Sequence, residues 1–202
     1  MDDGIGKVVQ SLKETGKFDN TIIFFLSDNG GQLEDGANNG NLRDGKQSMY
    51  EGGIKVPCFV AWPSRIKAGT NSQQRLHVID IFPTLAEIAG VKFDHKIDGI
   101  SFLPILKNSE ATLDPRPLFF FRREGGFKYG GETIEAVISG NMKLLHNSPY
   151  EPLELYDLFD DPLETRNLIK SNHKKYKALH QLLIEQIRRG GSVPWQKSEE
   201  KK

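Results

Sequence analysis

A single cysteine, Cys58, stands in 202 residues, so no internal disulfide can form. Its apolar surroundings, Val56 to Trp62, predict a buried core thiol. Neither sign of charge is in excess, with 27 Lys and Arg against 27 Asp and Glu. A chain without net charge has no bulk electrostatic reason to bind nucleic acid or an anionic membrane surface, and neither is expected as a partner. The most basic run, Lys174-Lys175 with Lys177, lies in a helical pattern and reads as a solvated face. No apolar run approaches the ~18 residues of a membrane span, and no signal-peptide pattern opens the chain. Five histidines, at 77, 95, 146, 173 and 180, are scattered without a metal-binding spacing such as His-Glu-x-x-His. His173 and His180 read as surface residues and His77 as structural. The remaining composition, 37% hydrophobic and 27% charged, is ordinary for a globular chain of one core or slightly more.

What is present is concentrated in residues 21–31, Thr-Ile-Ile-Phe-Phe-Leu-Ser-Asp-Asn-Gly-Gly. A continuous apolar run, Ile22 to Leu26, predicts a buried strand. It stops at an acid, an amide and two glycines. Ligand-binding residues often stand at the carboxyl end of a parallel strand. Asp28 and Asn29 offer hard oxygen donors of the kind calcium or magnesium prefers. Gly30 and Gly31 would permit a sharp turn or a close approach of a ligand. The same residues also read as a strand followed by a plain turn.

Along the chain, residues 3–15 read as a helix, with Ile5, Val8, Val9 and Leu12 at helical spacing and Gly16 at its end. Strands are expected at 20–27 and 55–62, separated by a long polar loop, 28–47, of a length that is usually functional or disordered. A helix over 75–89, ended by Gly90, completes a βα alternation. That alternation predicts an α/β fold with a partial, mostly parallel sheet flanked by helices. Residues 91–117 connect, with Pro104, Pro115 and Pro117. Beyond them, Leu118–Arg122, Glu132–Ser139, Lys143–His146 and Leu153–Leu158 predict a small antiparallel sheet, its first two strands separated by the glycine-rich Gly125–Gly131. Tyr176, Leu179, Leu183 and Ile187 mark one face of a long final helix. The expected organisation is therefore 1–112 as an α/β portion, 113–190 as a small α+β subdomain and 191–202 as a flexible tail.

A second segment, Leu42-Arg43-Asp44-Gly45-Lys46-Gln47-Ser48-Met49-Tyr50-Glu51-Gly52-Gly53-Ile54-Lys55-Val56-Pro57, joins Ser27-Asp28-Asn29-Gly30 in a pattern that resembles the sulfatase family of the alkaline-phosphatase-like superfamily. The resemblance continues in order through Ala61-Trp62-Pro63, Asp80-Ile81-Phe82-Pro83-Thr84-Leu85 and Asp98-Gly99-Ile100-Ser101-Phe102. It closes with Glu154-Leu155-Tyr156-Asp157-Leu158, Asp161-Pro162-Leu163-Glu164 and Asn167-Leu168. Each segment alone is weak; six in order carry the resemblance.

The resemblance implies hydrolysis of sulfuric esters, with Asp28 and Asn29 as one pair of calcium ligands. It also implies Lys46 as a catalytic and substrate-binding residue that contacts the sulfate. An ammonium near the transferring group would stabilise its anionic charge. Glu51 reads as a supporting residue that bonds the loop's backbone amides and holds Lys46 in place. Arg43 and Asp44 could pair with each other or touch substrate, and read first as a surface pair. The family's nucleophile motif, Cys or Ser-x-Pro-Ser-Arg, has only a superficial echo in Ala61-Trp62-Pro63-Ser64-Arg65, because alanine has nothing to oxidise. Met1 then reads as an internal methionine, and the chain as the C-terminal portion of a sulfatase, with half a calcium site and weak or no turnover by itself. The implied substrate is a sulfate ester, with a sulfated sugar as the usual kind, and the implied setting is periplasmic, secreted or lysosomal. Two other readings stand beside this one. One is a phosphate or phosphonate ester hydrolase of the same superfamily. The other is a non-catalytic fragment that binds a carbohydrate or partner, or self-associates, through an incomplete sheet.

Overall fold

The computed structural model describes residues 1–123 and 132–190. The expected glycine-rich separator and the expected flexible tail over 191–202 lie outside the described residues. In chain order the elements are α1 (Asp2–Glu14), β1 (Ile23–Leu26), α2 (Glu51–Ile54), β2 (Cys58–Ala61), α3 (Ile81–Ile88), α4 (Leu103–Lys107), β3 (Leu118–Arg123), β4 (Thr133–Ser139), β5 (Met142–His146), β6 (Glu154–Asp157) and α5 (His173–Gly190). The chain divides into two compact units. One comprises Met1–Asp28 and Pro57–Asp114, the other Asn29–Val56 and Pro115–Lys202.

In the first unit, α1 carries Asp2 and Asp3 in its first turn and Lys13 in its last, both favourable to the helix dipole. Gly16 closes it at φ +66°, a left-handed conformation that suits glycine. None of the α1 residues is buried, so its apolar side stays largely open. The strands β1 and β2 pair with each other, Ile23 opposite Ala61 and Leu26 opposite Cys58, and the pairing is antiparallel. This corrects the expectation of a mostly parallel sheet here. A parallel pair needs a crossover of a dozen or more residues, usually a helix that packs on the sheet. Between β1 and β2 the only helices are the single turn of α2 and a three-residue 3₁₀ turn, Leu33–Asp35. The longer helix follows β2 instead of joining the two strands. Half-covered faces also correct the burial expectations: Phe25 and Phe59 are exposed, and so is Cys58.

The entry to α3 is fastened reciprocally. His77 Nδ1 accepts from the Ile79 N–H at 3.4 Å, and Asp80 Oδ2 accepts from the His77 N–H at 2.8 Å. Asp80 Oδ1 takes the Ile100 N–H at 3.0 Å, and Thr84 Oγ1 takes the Phe102 N–H at 3.0 Å. Both side chains are wholly buried. Two of the sequence segments that carry the family resemblance, 80–85 and 98–102, are thus tied to one another by buried hydrogen bonds.

The second unit contains the expected four-stranded antiparallel sheet, in the order β3-β4-β5-β6, with the long α5. Both faces of this sheet are covered. Val137, Leu144 and Leu155 pack with Leu179 and Leu183 of α5. On the other face, Ile134, Ala136, Leu145 and Tyr156 pack with Met49 and Tyr50. The alternation along β4 and β5 sends neighbouring side chains to opposite faces. Met49 and Tyr50 are 3% and 6% exposed, and burying two side chains of this kind stabilises the unit by roughly 1.5–3 kcal/mol each. Met49 and Tyr50, which directly follow the expected polar loop 28–47, are therefore a layer of this unit's core.

Candidate functional site

Residues 29–56 are tied together by main-chain hydrogen bonds. The Gly30 N–H donates to Gly53 O at 2.9 Å, and the Gly52 N–H donates to Arg43 O at 2.8 Å. A Cβ on Gly30 would stand 1.7 Å from Gly52 O, and one on Gly52 would stand 2.1 Å from Asp44 O. These two glycines are required by close approach of main chain to main chain, not by a left-handed turn. Asn39 stitches the segment further: its Oδ1 accepts from the Gly31 N–H at 2.8 Å and its Nδ2 donates to Asp44 O at 3.0 Å.

Lys46 sits at the mouth of this knot. Its N–H donates to Gly31 O at 3.0 Å, and its side chain is exposed. It lines a polar cleft of about 270 Å³ together with Gln32, Glu34, Gln47, Ser48 and Asn147, among others. Asp44 and Gln47, on either side of it, both have left-handed backbones at φ +62° and +79°. Each such conformation costs a non-glycine residue about 1 kcal/mol, and strain of this kind collects at functional sites. Asp44 is held there by its own Oδ1, which accepts from the Gly45 N–H at 2.7 Å. It makes no pair with Arg43, contrary to the expectation from sequence.

Arg43 points instead to a cluster that sequence reasoning missed. Its Nη1 donates to Tyr156 Oη at 2.9 Å and to Glu164 O at 2.6 Å, and its Nη2 donates to Tyr50 Oη at 2.9 Å. The guanidinium lies 3.7 Å from the centre of the Tyr50 ring, within stacking range. Both tyrosine hydroxyls donate to the carboxylate of Glu154, Tyr50 to Oε1 at 2.7 Å and Tyr156 to Oε2. Burial first, then the bond to Glu154, pushes the Tyr156 phenol up to about 12 and the Tyr50 phenol higher still. A signal for this cluster was present in the sequence: Glu154 and Tyr156 stand two apart in a strand and so share a face.

Glu51, expected to bond loop amides, instead receives the Lys143 ammonium on Oε1 at 2.9 Å. Lys143 and Glu164 are both wholly buried. Lys143 Nζ also lies 2.8 Å from Glu164 Oε1, a charge contact without hydrogen-bond geometry, and Glu164 Oε2 accepts from the Glu51 N–H at 2.6 Å. Burial pushes the Glu164 carboxyl up, against the pull of Lys143. Lys143 could have been noticed as a lone charge inside the apolar run Met142–Leu145, a position lysine takes only when paired.

Of the two expected cation ligands, Asp28 follows β1 at the end of the first unit and is exposed. Asn29 opens the segment of the second unit, and its Nδ2 donates to Gly30 O at 2.9 Å. A carboxylate and an amide oxygen suit a hard cation such as calcium. Among the described residues, no group of three or more His, Cys, Asp or Glu side chains is arranged to hold a metal. The echo of the nucleophile motif, Ala61 to Arg65, forms a turn in which the Arg65 N–H donates to Trp62 O at 2.9 Å.

Comparison with known proteins identifies the family. The Sulfatase family model matches residues 1–91. N-acetylgalactosamine-6-sulfatase of Homo sapiens is 37% identical over 149 residues, which cover 71% of this chain and 27% of that protein. The crystal structure of Ps i-CgsB in complex with k-i-k-neocarrahexaose superposes with a TM-score of 0.80 at 32% identity, over 91% of this chain and 40% of that one. The structure of BT4656 in complex with its substrate D-glucosamine-2-N,6-O-disulfate superposes with a TM-score of 0.77 at 30% identity, over 100% of this chain and 40% of that one. The chain thus spans 27% to 40% of the length of these relatives. With its motifs in order, its fold shared and its sequence this similar, the chain belongs to the sulfatase family.

Proposed function

We propose that this chain contributes to the hydrolysis of sulfuric esters, with a sulfated sugar as substrate and Lys46 as the residue that binds the sulfate. The observation that carries the reading is the setting of Lys46. An exposed ammonium stands at a polar cleft, on a segment locked by main-chain hydrogen bonds and flanked by two strained residues. A cation held this way offers positive charge to a sulfate without reorganising, which is how electrostatic catalysis gains most. Asp28 and Asn29, a carboxylate and an amide, are the residues that would hold calcium, an ion that supplies positive charge to sulfate oxygens when bound. Gln32, Gln47 and Asn147 supply amides to the same cleft, able to bond sugar hydroxyls. The sulfated sugars named with related structures support that substrate class.

The covalent step needs a nucleophile, and the one echo of its motif has alanine at position 61. The 202-residue chain assayed alone is therefore expected to bind sulfate without turning over an aryl sulfate. The test is a titration with inorganic sulfate followed by amide resonances. Saturable shifts at residues 45–48, abolished by Lys46→Ala, support the reading. Shifts that survive Lys46→Ala, or a stronger response to a phosphonate ester than to the matched sulfate ester, would overturn it.

A further inference from the structure

The segment that carries Lys46 is gripped on both sides by one residue, Glu164. Before Lys46, Arg43 Nη1 donates to the Glu164 carbonyl at 2.6 Å. After it, the Glu51 N–H donates to Glu164 Oε2 at 2.6 Å. Glu164 itself has a left-handed backbone at φ +55°, a conformation that glutamate adopts only where its surroundings enforce it. Lys143, rising from β5, stands between the carboxylates of Glu164 and Glu51 at 2.8 and 2.9 Å, and both it and Glu164 are 0% exposed. One ammonium between two carboxylates is the arrangement that lets two acids share a dry site without repelling each other. Asn147 adds a third tie by accepting from the Met49 N–H at 2.7 Å. None of these groups lines the Lys46 cleft except Asn147.

We infer that Glu164 and Lys143 are positioning residues for Lys46: together they clamp the segment through the Arg43 side chain and the Glu51 main chain and so fix where the Lys46 ammonium stands. The inference rests on the proposed sulfate role of Lys46. A mobile alternative for this segment is easy to picture, because 29–56 contains only one turn of helix and one 3₁₀ turn. Asn39 and the Gly30–Gly53 bond tie the segment to itself, while Glu164, Lys143 and Asn147, beside the packing of Met49 and Tyr50, tie it to the rest of the unit. A displacement of an ångström at a binding cation is enough to weaken it many-fold.

Amide hydrogen exchange on the whole chain tests the clamp. Glu164→Gln keeps the shape and the acceptor of Glu164 but removes its charge. Lys143→Met removes the ammonium, and Lys143→Arg restores a cation. In Glu164→Gln and Lys143→Met the Lys46 and Gly52 amides should exchange at least about tenfold faster, while the β4–β5 ladder keeps its protection. Lys143→Arg should recover most of the difference. In the inorganic sulfate titration, half-saturation in Glu164→Gln should move to a concentration at least about fivefold higher. Unchanged exchange at Lys46 in folded Glu164→Gln overturns the inference. So does a Glu164→Gln chain that fails to fold, because the contact would then support the entire unit and not this segment. If Lys46→Ala leaves the sulfate shifts intact while Glu164→Gln still speeds Lys46 exchange, the clamp stands and the sulfate reading falls.

Discussion

Replacing Gly30 by alanine adds one methyl group, and the structure gives that methyl nowhere to go. Its position is 1.7 Å from Gly52 O, 2.7 Å from Gly52 C and 3.0 Å from Gly53 Cα. All three atoms are main chain, so no side chain can rotate aside. The 52–53 backbone must retreat by more than an ångström. That retreat breaks the bond from the Gly30 N–H to Gly53 O and strains the one from the Gly52 N–H to Arg43 O. Each buried hydrogen bond left unmade costs about 1–3 kcal/mol, and displaced packing of Met49 and Tyr50 adds to it. A total loss of about 3–5 kcal/mol is expected, a large share of the ~5–15 kcal/mol that holds a domain folded. Gly4→Ala is the contrast. A Cβ at Gly4, inside α1, meets nothing within 4 Å, so it should stabilise its helix by about 0.5–1 kcal/mol. Urea unfolding followed by circular dichroism reads both. A Gly30→Ala midpoint within experimental error of the wild type would refute the close-approach account of this glycine.

Three further outcomes are expected. Two of the five tyrosines should resist ionisation in a spectrophotometric titration, because burial and Glu154 hold Tyr50 and Tyr156 as phenols. Since their folded values are raised, stability is lost as pH climbs from the ordinary tyrosine value of about 10 through about 12. Ionisation of every tyrosine by about pH 11 in a still-folded chain would contradict the cluster. Arg43→Lys should cost about 1–3 kcal/mol in chemical unfolding, because a single ammonium cannot bond Tyr50, Tyr156 and the Glu164 carbonyl at once; a neutral effect would mean that the fork is dispensable. Calorimetry with calcium on this chain should show no binding tighter than about 1 mM, because the proposed ligands Asp28 and Asn29 supply only two of the six to eight the ion takes. Sub-micromolar calcium binding would require ligands that have gone unrecognised.

The sequence alone determined the elements whose signals are local. Periodicity placed α1 and α5, and strand-like runs placed β1 through β6. The order of short motifs carried the family. Local signals reach only as far as neighbouring residues, and the errors began where the decision was not local. Whether β1 and β2 run parallel depends on what lies between them in space, and the βα alternation could not say that the helix follows the pair. Cys58 reads as buried because its neighbours are apolar, yet burial depends on what covers the strand. Residues 28–47 read as a polar loop because Asn, Gly and Asp dominate them. The tertiary structure ties that loop down through main-chain contacts that only glycine permits at Gly30 and Gly52, and seats Met49 and Tyr50, which follow it, against β4. The same holds for the groups around Lys46. Arg43, Glu51, Lys143 and Glu164 are spread over 122 positions of sequence, each an ordinary charge on its own. Folding brings the charges of Glu51, Lys143 and Glu164 within 2.8–2.9 Å in a dry interior and sets the Arg43 guanidinium on the Glu164 carbonyl; in such an interior pairing is strong and an unpaired partner is costly.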